Sequence, residues 1–372
     1  MSEETKARNK QDDVVNNEEA IDGVIDEPVF ENKEEALADV PIKIGLDVGT
    51  NLLVAGRMSD DDGAIFKMQR DAYYRIKPQS EVNKNSIKMS LDKRHANYFI
   101  DTDGSFLVVG DDALELAIER NDVAERPLHK GVISPKNKKA LPILKRIIKE
   151  IVGNGNNGSK IIFSVPGLAV DADFDITYHS EIISMYLKSL GFENVSPINE
   201  AFAVGLSELL DNSLTGIACS FGAGAANVCI LHEGSPISEF SFTKSGDFID
   251  ESVGRALDIS PSVVQQEKES GTNLCNPRSA IEEAIGVYYN SVLKYTFENI
   301  AYELNVRKKD LPILKNGIPI VMAGGLTLAD HFLDRVKEIL GTIDFPLKIS
   351  DIRISDDPLT TVANGCLMAA HL

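Results

Sequence analysis

The chain has 372 residues, of which 43% are hydrophobic; that is enough for about two domains with sizeable cores. Fifty-seven acidic residues against 38 basic ones leave a formal charge of −19, which opposes binding to nucleic acid or to an anionic membrane surface. The four cysteines, Cys219, Cys229, Cys275 and Cys366, show no CxxC spacing and sit mostly in apolar runs. Buried reduced thiols in a reducing cytoplasm are therefore expected, rather than disulfides or metal ligands. No run of about 18 apolar residues occurs, and the chain begins Met1-Ser2-Glu3-Glu4, acidic where a signal peptide is basic, so a soluble, cytoplasmic protein without direct membrane insertion is expected.

Residues 1–40 hold 13 acids and four bases with no sustained apolar period. That composition predicts a disordered acidic tail, because too little apolar surface is available to offset the entropy of ordering. The stretch from Ile42 to Ala55 follows: an apolar run, the turn Asp47-Val48-Gly49-Thr50-Asn51, and a second apolar run. It reads as a β-hairpin. Gly49 permits a backbone in which successive N–H groups converge into an anion-binding nest, a cradle for a phosphate. Asp47 is costly to bury in an apolar strand unless a cation lies beside it, and a phosphate-bound Mg²⁺ is the natural candidate. An ordinary hairpin with an Asx turn is the alternative reading.

The segment from Met58 to Leu91 is charged and reads as irregular. Ala96–Ile100 and Ser105–Val109 then form a hairpin around Asp101-Thr102-Asp103-Gly104, and Asp111–Glu119 a helix. Leu141, Leu144, Ile147, Ile148 and Ile151 recur at helical spacing among Lys138, Lys139, Lys145, Arg146 and Lys149. They predict an amphipathic helix whose basic face is either solvated or a partner surface. A strand at Lys160–Pro166, a helix ending before Gly191, and the segment Asn194–Asn199 lead to Glu200, which opens a small-residue helix.

From Gly216 to Leu231 the design of the first hairpin repeats: strand, the tip Gly222-Ala223-Gly224, strand. Two hairpins of one design suggest two similar halves facing each other across a phosphate. A Rossmann reading of Gly222-Ala223-Gly224 fails because the fingerprint requires a helix after the glycines, whereas Asn227–Leu231 is a β-type run. No GxxxxGK[ST] occurs, which excludes a P-loop. Further on, helices are predicted from Ser245, up to Gly271, over Ile281–Leu304 and from about Thr327. A strand at Ile318–Ala323 runs into Gly324-Gly325, whose lack of side chains lets a backbone lie against a flat ligand. Asp357-Pro358 leads a last helix of small residues.

These segments together resemble the actin, sugar kinase and heat-shock chaperone ATPase superfamily, matching its five sequence patches in order over residues 41–372. They are Gly45–Thr50, Asn199–Val204, Ser220–Gly224, Met322–Leu326 and the helix from Asp357-Pro358. Arg126–Ile133 and Ser245–Glu251 are similar to the prokaryotic actins, the MreB and MamK proteins above all.

The resemblance implies an α/β, two-domain actin-like ATPase fold, built of duplicated ribonuclease-H-like domains with a Mg-ATP cleft between them. Residues 41–198 would be the first domain, with a smaller subdomain near 58–110. Residues 199–372 would be the second, with a smaller subdomain near 258–312 and the C-terminal helix packing back toward the first. By match, Asp47 would hold Mg²⁺ through water, and Gly49, Thr50, Asn51, Gly222, Ala223 and Gly224 would touch the phosphates. Glu200 would orient the attacking water, Glu267 and Lys268 would lie near the ribose and base, and Gly324, Gly325 and Leu326 would border adenosine. One departure matters: the family's second phosphate patch begins with aspartate and carries a threonine where this chain has Ser220 and Ala225. A serine can hydrogen-bond a metal-bound water but adds no negative charge beside the metal. The expectation is a filament-forming protein assembling head to tail, with secure ATP binding and slow hydrolysis. The alternatives are a non-polymerising nucleotide switch or chaperone-like ATPase, and a small-molecule kinase. Neither end shows a membrane-binding amphipathic helix of the kind that anchors some relatives, and no cargo or adaptor is legible.

Overall fold

The computed structural model describes residues 40–59, 63–133, 140–173, 176–309, 311 and 317–372. The acidic tail expected over 1–40 lies outside them except for its last residue, as do Lys138 and Lys139 of the expected basic helix face. In chain order the described elements are β1 (Lys43–Val48), β2 (Leu52–Met58), β3 (Ala64–Arg70), β4 (Tyr73–Ile76), α1 (Glu81–Arg94), β5 (Tyr98–Ile100), β6 (Phe106–Val109) and α2 (Asp111–Glu119). Two short strands, β7 (Leu128–His129) and β8 (Val132–Ile133), precede α3 (Ala140–Val152), β9 (Lys160–Val165), α4 (Ile176–Ser189), β10 (Asn194–Asn199) and α5 (Glu200–Glu208). Then come β11 (Gly216–Phe221), β12 (Ala226–His232), β13 (Ser235–Phe242), α6 (Gly246–Leu257), α7 (Pro261–Glu269) and α8 (Ala280–Val306). The chain closes with β14 (Ile318–Ala323), α9 (Phe332–Leu340), β15 (Ile349–Ile354) and α10 (Thr361–His371).

Two five-stranded sheets share one plan. The first has the order β10-β9-β1-β2-β3 and the second β15-β14-β11-β12-β13. In each, the hairpin and its following strand are antiparallel, and two further strands add parallel to the hairpin's first strand. The echo between the two hairpins thus extends to whole sheets, and a helix follows each last parallel strand, α5 after β10 and α10 after β15. A small sheet, β4-β6-β5, packs with α1 and α2 around its own core of Ile76, Leu91, Phe106, Val108 and Leu116.

The two halves meet through α5 and α10. A Cβ on Gly365 of α10 would collide with the Ala203 carbonyl of α5, and one on Gly45 of β1 would collide with the α10 backbone at Ala363 and Leu367. Only glycine allows backbones this close. Ala201, Ala203, Val204, Ala218, Ala323, Val362 and Cys366 fill the layer between the sheets.

Some expectations are corrected. The supposedly irregular segment Met58–Leu91 holds β3, β4 and most of α1. β3 is an edge strand with partly exposed residues on both faces, so it lacks the alternation that marks a half-buried strand. Helix α1 buries only Leu91 and is set instead by a polar cap, Ser80 accepting from the Asn83 N–H at 3.2 Å. A 3₁₀ turn occupies Gly325–Leu328, so the helix expected from Thr327 starts at Phe332. β15 went unread in the sequence. Cys219, Cys229 and Cys366 are buried, but Cys275 is exposed.

Overpacking a filled helix contact costs about 1–3 kcal/mol. Gly365→Ala should lower the denaturation midpoint by at least that much, whereas Gly286→Ala in α8, where a new Cβ meets nothing within 4 Å, should stabilise by up to about 1 kcal/mol through helix propensity. Chemical denaturation of both variants checks the contrast, and a Gly365→Ala midpoint equal to the parent's would refute the close-approach account.

Candidate functional site in the cleft between the two hairpins

Both glycine-bearing tips line one cavity of about 340 Å³, within the range of small-molecule sites. Gly49 lies where a side chain would strike the Leu52 carbonyl, so the first turn closes tightly. Thr50 is buried and accepts a hydrogen bond from the Gly131 N–H at 3.0 Å. Opposite it, a Cβ on Gly224 would collide with the Thr50 hydroxyl, so the tips touch. The second tip is braced from behind: the Gly222 carbonyl accepts from the Ser245 hydroxyl at 2.6 Å and from the Gly246 N–H at 3.2 Å, and the Ala223 carbonyl accepts from the Asp247 N–H at 2.7 Å. The start of α6 therefore docks on this tip.

Two carboxylates face the same cavity. Asp47 accepts from the Ser164 hydroxyl at 2.7 Å, and that oxygen in turn accepts from the Val48 N–H at 2.9 Å. Glu200, at the start of α5, accepts from the Ser220 hydroxyl at 2.5 Å and from the Asn227 amide at 2.8 Å. Burial raises the proton affinity of both groups; the negative charge of Asp47 raises that of Glu200 further, and the bonds from Ser164 and Ser220 only partly oppose this. Among the described residues neither forms an ion pair. Two such acids without a cation form an environment that a bound cation would relieve. Among the described residues no group of three or more His, Cys, Asp or Glu is placed to hold a metal, so a cation here would keep several water or ligand oxygens, as Mg²⁺ commonly does.

Gly324, Gly325 and Leu326 line the far end of the cavity. Gly324 has φ +94°, and a Cβ there would strike the Phe221 backbone; its N–H donates to the Pro358 carbonyl at 2.9 Å. The Tyr289 hydroxyl donates to the Leu326 carbonyl at 3.3 Å.

The structure does not bring every expected residue together. Glu267 lies outside the cavity lining, its carboxylate accepting from the Ser279 hydroxyl at 3.4 Å. Lys268 lines the cavity with its stem, but its ammonium is held by both Asp250 oxygens at 2.7 and 2.8 Å and by the Gly246 carbonyl. Glu269 is the acid of α7 that reaches the cavity. Ser220 is 1% exposed and its hydroxyl donates to Glu200, so the residue that departs from the family pattern holds the neighbouring carboxylate.

Sequence reasoning missed Asn227. It is fully buried, donates to Glu200, and accepts from the Gly167 N–H at 2.8 Å in the loop after β9. A lone amide inside an apolar strand was the available signal, since a buried amide needs partners. Arg70, Arg126, Gln265 and Glu269 were missed too, because their partners are about 120 to 220 positions away in sequence.

Two sheets of one strand order, joined by two close-packed helices with a cavity between their hairpin tips, define a two-domain actin-like protein. The chain belongs to the Volactin family, which matches residues 42–370. Among solved structures it is similar to a MamK double helical filament, with 18% identity, TM-score 0.63, and coverage of 90% of this chain and 99% of that one. It is also similar to MreB5 of Spiroplasma citri bound to AMPPNP, with 18% identity, TM-score 0.59, and coverage of 88% and 95%. No curated protein matches the sequence significantly. Among the described residues no helix is long and apolar enough to cross a membrane.

A carboxyl group whose pKa folding raises adds stability that is complete below its unfolded value, about 4, and is lost as pH rises through the folded value. The ligand-free chain should therefore melt at progressively lower temperature from about pH 5 through neutrality, and Glu200→Gln, which cannot ionise, should lose less over that span. Melting curves of both proteins across the range test this, and parallel pH dependences would contradict it.

Proposed function

We propose that this protein binds Mg-ATP between the two hairpins, polymerises head to tail into filaments, and hydrolyses ATP slowly. The observation that carries the reading is the pair of glycine tips bounding one cavity, with Asp47 and Glu200 both facing it and in no ion pair among the described residues. The fold shared with an AMPPNP-bound MreB5 supports nucleotide binding, and that shared with a MamK filament supports polymerisation. On this reading residues 41–198 and 199–372 are the two domains, with the small sheet β4-β6-β5 in the subdomain near 58–110, and α7 with α8 in that near 258–312.

Gly49, Thr50 and Asn51 from one tip and Gly222, Ala223 and Gly224 from the other would line the phosphates, with backbone N–H groups as donors other than that of Gly222, which donates to the Ala225 carbonyl at 3.0 Å. Asp47, oriented by Ser164, would hold Mg²⁺ through water, and bound Mg²⁺ supplies charge compensation on the phosphoryl oxygens. Glu200, fixed by Ser220 and Asn227, keeps free lone pairs with which to align the attacking water. Gly324, Gly325 and Leu326 would border adenosine, and Glu269 rather than Glu267 would face the ribose. Ser220 adds no charge beside the metal, which supports slow chemistry and long-lived filaments.

Asp47→Ala should weaken Mg-dependent ATP binding by about tenfold or more in calorimetry, and unchanged affinity would remove the site assignment. Glu200→Ala should keep ATP binding and slow phosphate release by about 10²-fold, the scale of a water-positioning group; release at the parent rate would refute that role. Sedimentation with and without ATP separates a filament protein from a non-polymerising switch: pelleting only with ATP is expected, and a protein soluble in both conditions would overturn polymerisation.

A further inference from the structure

Asn51, at the first hairpin tip, and Glu269, at the end of α7, come from opposite halves of the molecule, and one side chain holds both. Arg70 Nη1 donates to Asn51 Oδ1 at 3.0 Å and to Glu269 Oε1 at 3.1 Å, and Nη2 donates to Glu269 Oε2 at 2.9 Å. Its Nε donates to Asp111 Oδ1 at 2.5 Å. Four of the five guanidinium donors are thereby engaged. Around this fork, Asn51 Nδ2 donates to Glu269 Oε1 at 3.0 Å, and Gln265 Nε2 donates to Asn51 at 2.9 Å and to Glu269 at 2.8 Å. The Arg70 side chain is only 12% exposed and that of Glu269 32%, so solvent screens the pair less than an open surface bridge.

Arg70, Asn51, Gln265 and Glu269 line the cavity. The polar closure here contrasts with the apolar, backbone-tight packing of α5 against α10. Parting the halves at the cavity wall breaks charge-assisted hydrogen bonds, whereas the α5 and α10 contact can act as the fixed end. A planar, bidentate fork is required for one residue to reach Asn51 and both Glu269 oxygens, which a lysine cannot do.

We propose that Arg70 is a positioning residue of the nucleotide site: by tying Asn51 to Glu269 across the cleft, it sets the rate at which bound nucleotide leaves. This rests on the reading of the cleft as a nucleotide site. Arg70 acts through Asn51 and Glu269 and not by holding phosphate, because four of its five donors are already engaged by Asn51, Glu269 and Asp111.

The test is stopped-flow release of a fluorescent ADP from the full chain, chased with excess unlabelled ADP. Arg70→Ala should speed release by about tenfold or more, the scale of losing hydrogen bonds between charged groups, and Arg70→Lys should fall between it and the parent. Arg70→Ala combined with Glu269→Gln should speed release by less than the product of the two single effects, since both changes break the Arg70–Glu269 contact. Raising salt from about 0.1 M to 1 M shortens screening from about 10 Å to 3 Å; it should speed release from the parent more than from Arg70→Ala. Release at the parent rate, additive effects in the double variant, or a loss confined to ATP and absent with ADP would overturn the proposal, the last by showing direct phosphate contact. A parent that binds no nucleotide overturns the site reading instead. Hydrogen exchange of the ligand-free chain then decides the tie: faster exchange at the first hairpin tip and in α7 of Arg70→Ala supports it, and unchanged exchange rejects it.

Discussion

The contact on which the molecule depends is the approach of α10 to α5 and β1 at Gly365 and Gly45. Each sheet alone would leave a face of small apolar residues open to water; the two helices close both faces at once and hold the sheets at a separation that only missing side chains permit. That separation places the Thr50 hydroxyl against Gly224. It also brings Glu200, the first residue of α5, beside Asp47 on β1. The geometry of the cleft is therefore a consequence of packing at its base, and the polar contacts of Arg70 and Arg126 add a second, breakable connection elsewhere along the cavity.

A core built only for stability would not place two buried acids side by side. Burial and repulsion from Asp47 raise the proton affinity of Glu200, and the Ser220 bond recovers only part of that cost. Departures of this kind from good folding chemistry concentrate at functional sites. Lys268 and Asp250 make the complementary case: a buried lysine and aspartate are paired through two short contacts, and that pair joins α6 to α7 without presenting a free charge to the cleft.

The two hairpins, their glycine tips and Asp47 were legible in the sequence because each is a local pattern: alternating apolar residues, a turn that needs glycine, and one acid in an apolar strand; Glu200 was singled out only by the family resemblance, since an acid at a helix start suits the helix dipole without any function. The Rossmann alternative could be rejected on the same local basis, by the β-type residues after Gly224. What stayed hidden was non-local or polar. β3 and α1 bury few residues and carry no apolar period, and β15 is partly exposed along its length. Asn227 and Arg70 owe their roles to partners brought near only by folding. The register in α7 was hidden for a related reason: Glu267, Lys268 and Glu269 are adjacent charges in one helix, and only the packing of α7 puts Lys268 and Glu269 on the cavity wall and leaves Glu267 off it.

The central claim is that the opposed tips hold a Mg-nucleotide. The most direct measurement is an experimental structure of the full chain with Mg²⁺ and a non-hydrolysable ATP analogue. The account predicts the triphosphate between Gly49–Asn51 and Gly222–Gly224, with the metal on the Asp47 side and the adenosine against Gly324 and Gly325. A nucleotide bound elsewhere, or an empty cleft at saturating analogue with Asp47 and Glu200 unaltered, would contradict it.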